Sequence, residues 1–190
     1  MNSIVCIGDS LTYGYGVSTK SSWVELLRKR LGSVNVINAG VNGDTTIGMV
    51  NRFTEDVVHN NANIVIILGG TNDFLTNRSA ENALRNINIM VKEAIENDIV
   101  PIVLSPPKAI GDLALNCWDS YCDYSNVNSL VEQFGDILSK LCSSEDISFV
   151  NLNDVFDKIE NNRYLYTDGI HLSEEGNKLV FEVVANVIRE

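Results

Sequence analysis

The chain has 190 residues, 45% of them hydrophobic, and carries 14 Lys plus Arg against 25 Asp plus Glu, for a formal net charge of -11. That length can bury one substantial core, so a single domain over residues 1–190 is expected. The acidic balance and the lack of a basic cluster argue for no nucleic-acid partner, weigh against docking on anionic membranes, and favour neutral or cationic small substrates.

In chain order, the apolar run over residues 4–7 ends in Gly8-Asp9-Ser10, which predicts a buried strand delivering Ser10 to a tight turn. Open α/β sheets place their ligand crevices at such carboxyl ends, although Gly-Asp-Ser is also ordinary turn and helix-cap chemistry. The glycine-punctuated stretch Leu11-Thr12-Tyr13-Gly14-Tyr15-Gly16 leads to a helix capped by Ser21 or Ser22, with Trp23, Leu26, Leu27 and Leu31 on one face and Gly32 as its stop. A second strand over residues 34–38 exits through Ala39-Gly40-Val41-Asn42-Gly43 into a helix capped by Asp44 or Thr45, carrying Ile47, Val50, Phe53 and Val57, with His59 near its end. The third strand, residues 64–68, is the most apolar run and reads as central; it ends in Gly69-Gly70-Thr71-Asn72-Asp73.

Ser79 then caps a helix bearing Leu84, Ile87, Val91 and Ile95, and a fourth strand over residues 99–104, tolerant of Pro101 near its start, stops at Ser105-Pro106-Pro107. Over residues 108–128 the periodicity lapses, and a long functional loop containing Trp118, Tyr121, Cys122 and Tyr124 is expected. A helix with Leu130, Phe134, Ile137, Leu138 and Leu141 follows, then a short strand over residues 147–150. Tyr166-Thr167-Asp168-Gly169-Ile170-His171 precedes a final helix that Ser173 caps and that turns Val180, Val183, Val184, Val187 and Ile188 inward.

Strands alternating with helices predict a parallel sheet of about five strands with right-handed crossovers, a three-layer α/β/α sandwich. In such a sheet the strand exits share one edge, so Ser10, Gly43 and Asn72 can converge. No apolar run approaches membrane-spanning length and the chain enters a strand without a charged leader, which together predict a cytoplasmic protein with no integral membrane segment. The four cysteines lack metal-ligand spacing and read as free thiols of a reducing compartment, Cys6 as a small core residue.

A serine hydroxyl becomes an effective nucleophile only beside a base that a third group holds in the right tautomer. Of the two histidines, His59 reads as a solvated helix-end residue, whereas His171 stands three residues after Asp168, close enough for carboxylate and imidazole to meet. The N–H of Ser10, the N–H of Gly43 and the Asn72 amide are donor types suited to an oxyanion, although each alone is also a turn or cap residue. Two other classes compete. One is a noncatalytic module holding an anion at the strand exits, which the lack of basic residues there disfavours. The other is a metal hydrolase built on Asp9, Asp44, Asp73, Asp168 and His171.

Four ordered blocks, Gly8-Asp9-Ser10-Leu11, Asn38-Ala39-Gly40 through Gly43-Asp44-Thr45, Gly70-Thr71-Asn72-Asp73 and Asp168-Gly169-Ile170-His171, together resemble the GDSL, or SGNH, superfamily of serine esterases and lipases over nearly the whole chain. The similarity is greatest to its small bacterial lysophospholipase-like and thioesterase-like members; Trp23 fits the pattern, and Leu172 stands where many members have proline. The resemblance implies a flavodoxin-like SGNH-hydrolase fold, Ser10 as nucleophile, His171 as base and then acid, Asp168 as its orienter, and Ser10, Gly43 and Asn72 as the oxyanion hole. It implies no metal and no cofactor, and a small-molecule ester or thioester substrate, with carbohydrate O-deacetylation as the alternative. Substrate choice is expected in residues 13–17, 74–78 and 108–128, where Trp118, Tyr121 and Tyr124 either line a pocket or cover the core. Oligomeric state is not encoded in any of these patterns.

Overall fold

The computed structural model describes residues 3–188; Met1, Asn2, Arg189 and Glu190 lie outside them. Strands β1 (Ser3–Gly8), β2 (Asn35–Gly40), β3 (Ile64–Leu68), β4 (Val100–Ser105) and β5 (Ser148–Asn151) form a five-stranded sheet in the order β2-β1-β3-β4-β5. Every pairing is parallel. This is the flavodoxin-like order, in which the crevice opens where the connections diverge, between the ends of β1 and β3.

Alternation along the strands builds the layers. Val5, Ile7, Val65, Ile67 and Val103 face α3 (Thr46–Phe53), α5 (Ala80–Glu96) and α7 (Tyr124–Ser144), which bury Met49, Phe53, Ile87, Met90, Val131, Phe134 and Leu138 against them. Ile4, Cys6, Ile66, Leu68, Ile102 and Leu104 point the other way, toward α2 (Trp23–Leu31), α8 (Leu152–Asp157) and α9 (Glu174–Val187). Burying both faces is why these strands are continuous apolar runs. Pro101 is accommodated because β5 pairs only with Ile102 to Ser105 of β4.

Helix starts follow side-chain oxygens: Ser22, Ser79 and Ser173 accept N–H bonds in the first turns of α2, α5 and α9, and Gly32 closes α2 by donating to Arg28. Thr45, one of the two residues expected there, occupies the cap of α3 but makes no side-chain bond; Asp44 accepts from Thr45 N–H, and Ile47 is exposed. The helix then loosens into a π-helical turn, Thr54–Val58.

The expected loop over residues 108–128 is largely helical. It contains α6 (Gly111–Cys117), and α7 begins at Tyr124, capped by Asp123. Hydrophobic periodicity misses α6 because Ala114 is its one fully buried side chain. Backbone bonds hold the segment instead: Ile110 N–H donates to Gly169, and the Asn128 side chain bonds both the N–H and the carbonyl of Ala109. Among the described residues no helix is long and apolar enough to cross a membrane, and all four cysteines are free thiols.

Candidate active site

Beyond β1, Asp9 accepts the Leu11 N–H at 2.9 Å and so caps a single helical turn, α1 (Ser10–Tyr13). Gly14, at φ +87°, ends it by donating to the Ser10 carbonyl. One turn is too short to persist alone, and its neighbours hold it. The Trp23 indole donates to Leu11 O at 3.0 Å, and the Asn38 amide donates to Thr12 O at 3.0 Å and to Tyr13 O at 3.3 Å. A Cβ on Gly40 would lie 2.2 Å from Tyr13 N, so the end of β2 presses directly on this turn and requires glycine.

His171 reaches Ser10 from the loop before α9. Thr167 N–H donates to His171 O at 2.8 Å, beside a bridge between Tyr166 and Leu172, so the non-proline Leu172 takes part in closing the loop. The two carboxylate oxygens of Asp168 divide the work. Oδ1 accepts the N–H groups of Ile170 at 3.0 Å and His171 at 2.8 Å; Oδ2 lies 2.7 Å from His171 Nδ1. His171 Nε2 in turn lies 3.0 Å from Ser10 Oγ, with the side chain only 4% exposed. Burial by itself would raise the Asp168 carboxyl, but the bonds from His171 and the two N–H groups outweigh it and hold the group below its ordinary range. An ionised Asp168 accepts Nδ1–H and leaves the Nε2 lone pair facing Ser10. The loop also leans on α6, where a Cβ on Gly169, at φ +93°, would meet Ala114 N at 2.5 Å.

Asn72 sits on α4 (Thr71–Leu75), which starts one residue past the Gly69-Gly70 exit of β3. Its amide donates one proton to Asp44 O at 2.8 Å, which orients the group; an amide has a second N–H to offer. Gly43, at φ +76°, completes the turn beside it. Arg52 braces this corner by donating to Asp44 Oδ2 at 2.8 Å, Asp56 Oδ2 at 2.5 Å, Ala39 O at 2.8 Å and Gly8 O at 2.9 Å. Ser10, His171, Asn42, Gly43 and Asn72 form the polar side of one cavity of about 90 Å³, and Tyr15, Leu75, Trp118 and Ile170 its apolar side.

A model of the GDSL-like lipase/acylhydrolase family matches residues 6–179. The chain belongs to that family. Family membership makes it an esterase-type enzyme. Among its relatives, Esterase TesA of Pseudomonas aeruginosa is 30% identical over 96 residues, which span 48% of this chain and 48% of that protein. An arylesterase of Vibrio mimicus is 27% identical over 191 residues, 96% of this chain and 86% of the relative. A solved G-D-S-L family structure from Desulfitobacterium hafniense DCB-2 superposes with a TM-score of 0.82 at 26% identity, covering 98% of this chain and 99% of that one.

Within this GDSL-family site the structure brings together Ser10, Asp168, His171, Gly43 and Asn72. It leaves His59 outside, exposed and paired with Glu55 at 2.8 Å. The carboxylates of the metal alternative do not converge: Asp44 binds Arg52, Asp73 binds the N–H and hydroxyl of Thr46, and Asp168 binds His171. Among the described residues no group of three or more His, Cys, Asp and Glu side chains could hold a metal ion. Asp9 is fully buried with Oδ2 unpartnered, and burial pushes its carboxyl up to about 7.

The three aromatics of residues 108–128 part company. Trp118 stands with its ring centre 4.7 Å from that of His171, Tyr121 is 97% exposed, and Tyr124 is buried beside Ala114 and Ile170. Tyr15 packs on the same imidazole at 4.5 Å. Its loop is one of those expected to choose the substrate, but nothing in the sequence singles out Tyr15 there. Asn42 lies within the second block and Leu75 within residues 74–78 without being singled out, and Arg52 carried no motif at all. A wider groove of about 380 Å³ between α2 and α9, lined by Lys20, Leu26, Glu175 and Phe181, shares no lining residue with this cavity.

Proposed function

We propose that this chain is a serine hydrolase of carboxylic esters or thioesters that works through an acyl-enzyme on Ser10. The observation that supports this most directly is the unbroken chain from Ser10 Oγ to His171 Nε2 at 3.0 Å and from His171 Nδ1 to Asp168 Oδ2 at 2.7 Å. As Ser10 Oγ attacks the substrate carbonyl, His171 takes its proton, and the N–H groups of Ser10 and Gly43 with the Asn72 amide receive the oxyanion. His171 then returns the proton to the leaving alcohol or thiol. Water attacks the acyl-enzyme with the same base, releasing the carboxylic acid and the serine. The whole described chain serves this one site as a single domain, and its four free cysteines suit a reducing, cytoplasmic setting.

Hydrolysis of p-nitrophenyl esters with chelator present tests the reading. Ser10→Ala is expected to abolish turnover and to prevent labelling by a phosphonate probe while melting like the parent; a folded Ser10→Ala enzyme with parental turnover overturns it. The second reading, carbohydrate O-deacetylation by the same residues, is favoured by one observation. Half-exposed Tyr15 and Trp118 offer apolar aromatic faces at the rim of a small cavity. Release of acetate from acetylated sugars at rates above those for p-nitrophenyl acetate would select it.

A further inference from the structure

Resting on the esterase reading, we infer that Leu75 sets the acyl-chain length this enzyme accepts, by walling the catalytic cavity off from a second, very small apolar space. The leaving alcohol must depart beside His171, which protonates it, and Tyr15 and Trp118 pack on that imidazole at the exposed rim. The acyl group is therefore directed to the other apolar wall, Leu75 and Ile170.

Those two residues line both cavities. Behind them lies a space of about 10 Å³ lined also by Leu11, Thr71, Pro107, Ala109, Val127 and Val131. That volume is at the lower limit for one water molecule, so an acyl chain that reaches the wall has nowhere to continue. Thr71 Oγ1 is buried at this space with no hydrogen-bond partner, an unfilled polar contact behind the wall. Ile170 is 5% exposed and adjacent to His171, whereas Leu75 is less buried and ends the short helix α4. Leu75 is accordingly the side of the wall that can be cut back without moving the imidazole.

The test measures kcat/KM for p-nitrophenyl acetate, butyrate, hexanoate and octanoate. The parent is expected to favour the two shortest esters. Leu75→Ala joins the two spaces and is expected to raise the hexanoate-to-acetate ratio about tenfold or more, the scale of methylene discrimination in an apolar pocket. Ala109→Leu added to Leu75→Ala, which fills the joined space from its far side, should return the ratio toward the parental value. Leu75→Val supplies a smaller shift in the same direction should the alanine variant not fold. A folded Leu75→Ala enzyme with the parental profile overturns the inference. So does a gain that persists in the double variant, since the chain would then leave across the Tyr15 and Trp118 rim. A folded parent that neither hydrolyses these esters nor takes the phosphonate label at Ser10 overturns the esterase reading itself.

Discussion

Asn72, proposed above as an oxyanion donor, is oriented by one hydrogen bond, from its amide to Asp44 O at 2.8 Å. Asn72→Ala is expected to lower kcat by about two to three powers of ten with little change in KM, the scale of one lost oxyanion donor. Parental turnover in this variant would remove Asn72 from the oxyanion hole. At this scale the sequence is informative where chemistry demands particular residue types at particular spacings. Asp168 and His171 are separated by three positions because one carboxylate must accept backbone N–H groups and the imidazole together. Tyr15 and Trp118 are 103 positions apart by their numbers, and their shared contact with His171 exists only in the folded chain.

Among elements, the exits of β1 and β2 and the start of α3 are joined by one side chain, Arg52, through Gly8 O, Ala39 O and Asp44. A guanidinium reaches all of these from one planar fork, and a lysine ammonium does not. Arg52→Lys is expected to lower kcat about ten- to a hundredfold with KM nearly unchanged, because the Asp44 carbonyl that aims Asn72 loses its support. Steady-state kinetics on p-nitrophenyl acetate with a parallel melt would check this, and a parental kcat would assign Arg52 to stability alone. Strands β1 and β3 were readable as apolar runs because both their faces are buried, and α2, α5 and α9 from their serine caps and apolar stripes. α6 was not, because it is tied down by Ile110, Gly169 and Asn128 rather than by an apolar face.

At the scale of the whole molecule, alternation of apolar and amphipathic segments dictates a parallel, two-sided sheet but not its strand order; that order followed from the motif resemblance. Stability as a function of pH also belongs here. Burial raises the Asp9 carboxyl from 3.8 to about 7, with Asp44 and Asp73 adding to the rise while the Leu11 N–H and His171 oppose it. The folded chain thus holds a proton that the unfolded chain has already released between those values, so this group makes stability fall as pH rises through that window, then level off. Asp168 acts with the opposite sign: its lowered carboxyl contributes stability above its ordinary range that is lost on strong acidification. Asp9→Asn keeps an acceptor for Leu11 N–H and is expected to flatten the decline in the urea midpoint between about pH 4 and about pH 7. An undiminished decline would mean that other groups cause it. Finally, Trp23, Asn38 and Gly40 clasp the turn carrying Ser10, whereas Tyr15, Leu75 and Trp118 come from three separate connections outside that clasp. Substitutions at those three positions can therefore reshape the wall of the cavity while the seat of Ser10 stays as it is.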